Sequence, residues 1–290
     1  MESMQSAGLK RLTNPGPVQV IAVTGGKGGV GKTSVSVNLA TAMAASGRRV
    51  MLLDGDLGLA NVDVFLGLSP RHTMAHVLSG ERTLEEIILE TTDGLLVVPG
   101  ASGVAELANL SAAGHLNLVQ AFSTLSSRVD VMIVDTSAGI AHSVVQFTQA
   151  AQHVVLVVCD EPASMTDAYA LVKVLSRNHA VTRFNVLANM VRAPGEGEAL
   201  FQKLQRVTGR FLDVTLEYIG EIPEDAYLRK AIREQRPVVS AFPSSPASRA
   251  FKKLALKADK WPVPEGPRGN LEFFVERLVR KPQARLEVVK

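Results

Sequence analysis

Apolar stretches rich in β-branched residues recur along the chain at 18–24, 49–54, 94–99, 129–135, 153–159, 184–190 and 215–222. Each is short, nearly continuous and bounded by polar or glycine-rich residues, the pattern of a strand buried on both faces. Between most of them the apolar positions change to a spacing of three and four, which predicts helices over 32–46, 115–127, 142–151, 164–177 and 196–209. Alternating strands and helices of this kind predict a doubly wound α/β fold, with a mainly parallel sheet covered by helices on both faces. Ligands of such sheets bind at the carboxyl ends of the strands. Beyond 222, helical spacing returns at 224–234 and 246–260, a proline-rich linker reads at 261–267, and a terminal helix is predicted over 270–281. The organisation expected is a polar leader at 1–17, one domain at 18–262, and a linker with a short amphipathic helix at 263–290.

The chemistry enters where the first predicted strand meets the first helix. Gly26-Lys27-Gly28-Gly29-Val30-Gly31-Lys32-Thr33 follows the apolar run 18–24 and opens a helical pattern in which Val35, Leu39, Ala42 and Met43 share a face. A glycine-rich turn lets backbone amides converge on an anion, and the helix N-terminus adds its positive dipole end. This is a phosphate-binding loop for a nucleoside triphosphate. Lys32 is expected to bridge the β- and γ-phosphates and Thr33 to hold Mg²⁺, with Ser34 completing the nucleotide-binding set. Lys27 is a second lysine inside the loop. It can reach phosphates of its own site or of a facing subunit, and the reading adopted is the second, a finger that neutralises charge developing in phosphoryl transfer.

Carboxylates end two other strands. Asp54-Gly55-Asp56 closes the run 49–54, and Asp56 is assigned to orienting the attacking water and to the Mg²⁺ shell, with Asp54 supporting it. Asp135 closes the run 129–135 and is expected to ligate Mg²⁺ through water, with Ala138-Gly139 bringing an amide toward the γ-phosphate. Asn189, Pro223 and Asp225, at the ends of the last two predicted strands, are candidates for contact with the base. Nothing in these residues decides adenine over guanine, although no N-K-x-D guanine-specifying sequence occurs.

Composition narrows the picture further. A net charge of +3 is too small to argue for nucleic acid, so no direct sequence-specific DNA binding is expected. No apolar run approaches the roughly 18–20 residues that span a bilayer. The first residues lack a basic segment followed by an apolar one, so no signal peptide is read and a cytoplasmic location is expected. Cys159 is the only cysteine, which excludes an intrachain disulfide and any multi-cysteine metal centre within one chain.

Taken together, K-G-G-V-G-K-T at 27–33, D-G-D-L-G-L-A-N-V-D at 54–63, V-D-T-S-A-G at 134–139 and I-P-E-D at 222–225 resemble the MinD/ParA group of deviant P-loop ATPases over about 18–262. Within that group the stretches 159–170, 186–190 and 273–278 are most similar to the flagellar-number regulators of the FleN/FlhG type. The resemblance implies an ATP- and Mg²⁺-dependent homodimer with weak hydrolysis that resets it. It also implies antagonism of a σ54-dependent activator of flagellar genes, pairing with an FlhF-type GTPase, and a ribose contact by Glu161 across the dimer. Relatives often carry D-Q-A-x-x-L-R near the start to stimulate that GTPase; here Met4-Gln5-Ser6-Ala7-Gly8-Leu9-Lys10 keeps Gln5, Leu9 and a basic residue but lacks the aspartate. The alternative reading is a membrane-cycling division-site regulator of the MinD type. Leu271, Phe274, Val275, Leu278 and Val279 form one stripe, and residues 266–290 carry six Arg/Lys against three Glu. Such a helix can lie on an anionic membrane at the cytoplasmic face, or dock on its own domain or a partner.

Overall fold

The computed structural model describes residues 17–56, 61–100, 112–264 and 271–279. The strands are β1 (Gln19–Gly25), β2 (Val50–Gly55), β3 (Leu89–Glu90), β4 (Leu96–Val98), β5 (Val131–Ala138), β6 (His153–Val158), β7 (Arg183–Val191) and β8 (Thr215–Pro223). They form one sheet in the order β3-β4-β2-β5-β1-β6-β7-β8. Every pairing is parallel except the antiparallel contact of β3 with β4 at the edge. The expected doubly wound, mainly parallel sheet is therefore present. The short edge strand β3 was not anticipated, because two residues leave no periodic signal.

The helices among the described residues are α1 (Lys32–Ala45), α2 (Val62–Leu66), α3 (Met74–Leu78), α4 (Leu84–Ile87), α5 (Ala112–Leu125), α6 (His142–Ala150), α7 (Pro162–His179), α8 (Glu196–Phe211), α9 (Ala226–Arg233), α10 (Val238–Ala241), α11 (Pro246–Ala258) and α12 (Leu271–Val279). Helix α7 begins two residues before the predicted start because Pro162 occupies its first turn, where a missing amide costs nothing.

Alternation along the central strands builds a core on each face. Ile21, Val23, Leu52 and Ile133 face Val35, Leu39 and Met43 of α1 and Phe251 of α11. Val20, Ala22, Met51, Leu53, Met132 and Val134 face the other way, against Phe122 of α5 and Phe147 of α6. This second core also contains Leu271, Phe274, Val275 and Leu278 of α12, all buried. The terminal helix thus packs on its own domain, between α5 and α6. Gln146 on α6 donates through Nε2 to the Leu278 carbonyl at 3.1 Å, and Ser123 on α5 donates to Glu272. The segment before it is tied down as well: His153 Nε2 lies 3.0 Å from the Pro262 carbonyl, and its ring packs against Trp261 at 5.0 Å.

Candidate nucleotide-binding site

The phosphate loop runs from the end of β1 into α1, at the carboxyl edge of the sheet. Gly31 is the N-cap of α1 with φ 91°, and no side chain caps the helix, so its first amides remain available to an anion. Two glycines are required by close packing. A Cβ at Gly31 would stand 2.3 Å from Asn189 Nδ2, and one at Gly26 would stand 2.2 Å from the backbone of Asp167. At Gly28 and Gly29, by contrast, a Cβ would meet nothing within 4 Å. The loop is therefore closely packed at both ends and open in the middle, at Gly28 and Gly29. Val30 anchors it by burial in the core beneath.

Charged and hydroxyl groups converge on this cradle. Lys32 is buried, and burial lowers its pKa although Asp135 and Asp56 oppose the shift. Asp135 is fully buried within β5, three residues before its end. Thr33 Oγ1 donates to its Oδ2 at 2.7 Å and Ser36 Oγ to its Oδ1 at 2.8 Å. Burial raises the Asp135 pKa to about 6, against these hydrogen bonds and the Lys32 charge. Ser34 Oγ is buried and has no hydrogen-bond partner among the described residues, an orphan donor that a phosphate oxygen would satisfy. The hydroxyl of Thr33 beside a buried carboxylate is an all-oxygen donor set suited to Mg²⁺. The residues present thus fit a Mg²⁺–nucleoside triphosphate.

Sequence reasoning missed Ser36. Its signal was available, since it lies one helical turn from Thr33 and so faces the same way. The loop carrying Ala138 and Gly139 is bound to the phosphate loop through the Gly139 amide, which donates to the Gly25 carbonyl at 3.1 Å. That same loop leads directly into α6.

Asp54 has a more definite place than its supporting role implied. It is buried, and it accepts the backbone amides of Asp56 (3.0 Å), Asn61 (3.0 Å) and Val62 (3.1 Å). It therefore pins both ends of the loop that carries Asp56; residues 57–60 between them lie outside the described set. Burial and the nearby Asp135 raise the Asp54 pKa to about 7, with the three amides pulling the other way. Asp56 itself is half-buried, and Asn61 Nδ2 approaches its Oδ2 at 3.5 Å.

The remaining predicted residues take the following places in the single chain. Lys27 and Glu161, both read as reaching across to a second subunit, meet each other within one chain at 2.7 Å. The contact raises the Lys27 pKa and lowers that of Glu161. Both side chains are exposed enough to exchange partners, so the pairing describes the single chain. Asp225 is occupied structurally: Oδ1 caps α9 through the Tyr227 amide at 2.8 Å, and Oδ2 accepts the Ala247 amide of α11 at 2.9 Å. Each oxygen therefore already accepts one amide, and the carboxylate ties the start of α9 to the start of α11. Asn189 is buried and donates through Nδ2 to the Val30 carbonyl at 2.8 Å. Its Oδ1 is left as an acceptor. Next to it, Met190 holds φ 60° and is 42% exposed, an unusual backbone state at the rim of the site.

The ParA-family sequence profile, described as an NUBPL iron-transfer P-loop NTPase, matches residues 17–258. The chain is 60% identical over 274 residues to the antiactivator FleN of Pseudomonas aeruginosa, covering 94% of this chain and 98% of that one. The chain belongs to the MinD/ParA family of P-loop NTPases. It is also 35% identical over 271 residues to the flagellum site-determining protein YlxH of Helicobacter pylori, covering 92% of each. Among solved structures, MinD of Pyrococcus horikoshii complexed with Mg-ADP superposes with a TM-score of 0.67 at 28% identity, covering 84% of this chain and 96% of that one. MinD/ParA proteins are ATPases, and the loop, lysine and carboxylate arrangement described above is the part of the fold that such chemistry needs. The single cysteine, Cys159, is buried at the end of β6.

Proposed function

We propose that this chain is an ATP-driven dimerising antiactivator that sets flagellar number and flagellar gene expression by restraining a σ54-dependent activator. The observation that carries the reading is the 60% identity, across nearly the whole of both chains, to an antiactivator. The 35% identity to a flagellum site-determining protein points to the same physiology. The division-site alternative needs the apolar stripe of α12 to face lipid, and Leu271, Phe274, Val275 and Leu278 are instead buried in the domain's own core. The leader that would stimulate a partner GTPase lies outside the described residues.

The geometry supports a mechanism for the switch. The α1 amides and Lys32 bind the phosphates, and Asn189 Oδ1 suits the exocyclic amine of adenine. Thr33, Asp135 and Asp56 would hold Mg²⁺, which would supply charge neutralisation at the phosphates. Asp56 orients the attacking water, on a loop pinned by Asp54. Lys27 leaves Glu161 for the partner's phosphates as two chains close, and Glu161 is then free for the partner's ribose. An exposed ion pair is weak and readily exchanged. Slow hydrolysis removes the group that orders these loops and returns the chain to the single form.

The reading is tested by adding the purified chain and Mg-ATP to activator-dependent transcription in vitro. Wild-type protein is expected to suppress the transcript, and Lys32→Ala is expected to leave it unchanged. Equal suppression by both would contradict a nucleotide-driven antiactivator.

A further inference from the structure

Strand β7 is irregular at one residue beside the nucleotide site. It pairs with β8 through Asn189 and Ile222, then through Val191 and Pro223, so Met190 has no partner in the ladder. A bulge of this kind takes one side chain out of the strand's alternation and re-aims it. Met190 holds φ 60° there. Among the described residues Ala180 and Gln235 are the other non-glycine residues with positive φ, and both lie at helix ends. Ala180 caps α7, and Gln235 follows the cap of α9. Left-handed backbone is ordinary at such ends. Met190 adopts it inside a strand, and its apolar side chain is left 42% exposed. Strained residues of this kind persist where the surroundings over-determine them, and they cluster at ligand sites.

The sheet order identifies which part of a ligand this side chain meets. Asp54 on β2, Asp56 directly after it and Asp135 on β5 lie to one side of β1. The terminal phosphate and its cation belong on that side. The nucleoside must therefore leave the phosphate loop on the other side, toward β6 and β7, where Met190 stands. Its Cε is 3.6 Å from the place a Cβ on Gly31 would take, at the N-cap of α1. Its neighbour Asn189 is fixed by the bond from Nδ2 to the Val30 carbonyl. We propose that Met190 is the platform for the nucleoside, with its thioether against the ring face of the base. The proposal rests on the nucleotide reading of this site and deepens it. A thioether is polarizable and packs favourably on aromatic rings. A contact with the ring face tells one base from another only weakly, so Met190 sets affinity for the nucleoside as such. The bulge exists to aim this side chain, and a residue that relaxes the backbone loses the contact while keeping the fold.

The test is calorimetric titration of the full-length chain with Mg-ADP and, separately, with Mg-pyrophosphate, which has no nucleoside. Wild type is compared with Met190→Gly and with Met190→Asn. Asparagine tolerates the left-handed region and keeps the test alive should the glycine variant fold poorly. Both variants are expected to raise the Kd for ADP about tenfold and to leave that for pyrophosphate within about twofold. The Tm of Met190→Gly is expected to stay within about 2 °C of wild type, because relief of the left-handed backbone offsets the added freedom of the unfolded chain. Wild-type affinity for ADP in both variants overturns the proposal. Equal losses for ADP and pyrophosphate overturn it too, and place Met190 in shaping the phosphate loop. Wild-type protein that binds neither compound overturns the nucleotide reading itself, and the proposal with it.

Discussion

At the scale of single residues, the site is a balance between burial and charge. Lys32 is buried near two carboxylates, and removing it leaves the phosphates without their central cation. Lys32→Ala is expected to weaken ATP binding by roughly 100-fold or more, measured by fluorescent-nucleotide titration. Asp56→Ala is expected to retain ATP while hydrolysis falls on the order of 100-fold, as loss of a water-orienting carboxylate does. Turnover at the wild-type rate would remove Asp56 from the chemistry. Asp54 acts through the loop instead. Asp54→Ala removes the acceptor of three loop amides, that of Val62 buried, so it is expected to lower both turnover and stability, the latter by about 2 kcal/mol in chemical denaturation.

At the scale of elements, the terminal helix and the segment before it behave as core. Phe274 is buried between sheet and helices, and Phe274→Ala is expected to cost about 3 kcal/mol, lowering Tm by roughly 6–12 °C. An unchanged Tm would show that α12 contributes little to the fold. His153 offers a pH test of the same region. Burial lowers its pKa from 6.5, with Arg183 in the same sense and the Pro262 carbonyl and Glu217 opposing. Its folded pKa is therefore depressed, so the stability it contributes is present above pH 6.5 and is lost as pH falls through the folded value. The acid-side loss of stability is expected to shrink in His153→Gln, followed by the emission of Trp261, the only tryptophan. The elements also show what the sequence could disclose. Buried parallel strands announce themselves as continuous apolar runs, and the glycine-lysine loop announces its anion. The docking of α12 was not legible, because an amphipathic stripe specifies that a face is covered and not by what. The capping role of Asp225 was not legible for a similar reason: an aspartate after a strand looks the same whether it faces a ligand or ties two helices together.

At the scale of the whole molecule, the account makes one chain an incomplete site. In the single chain Lys27 pairs with Glu161, and under the proposed function ATP in a facing copy would offer Lys27 a stronger anionic partner. Under the proposed function dimerisation and nucleotide are then linked, because the paired state would place Lys27 against the facing copy's triphosphate. The decisive measurement is sedimentation velocity with Mg-ATP, comparing Asp56→Ala with Lys27→Ala/Asp56→Ala, so that hydrolysis complicates neither. The account predicts a dimer for the first and a nucleotide-bound monomer for the second; an equally stable dimer from both would contradict it.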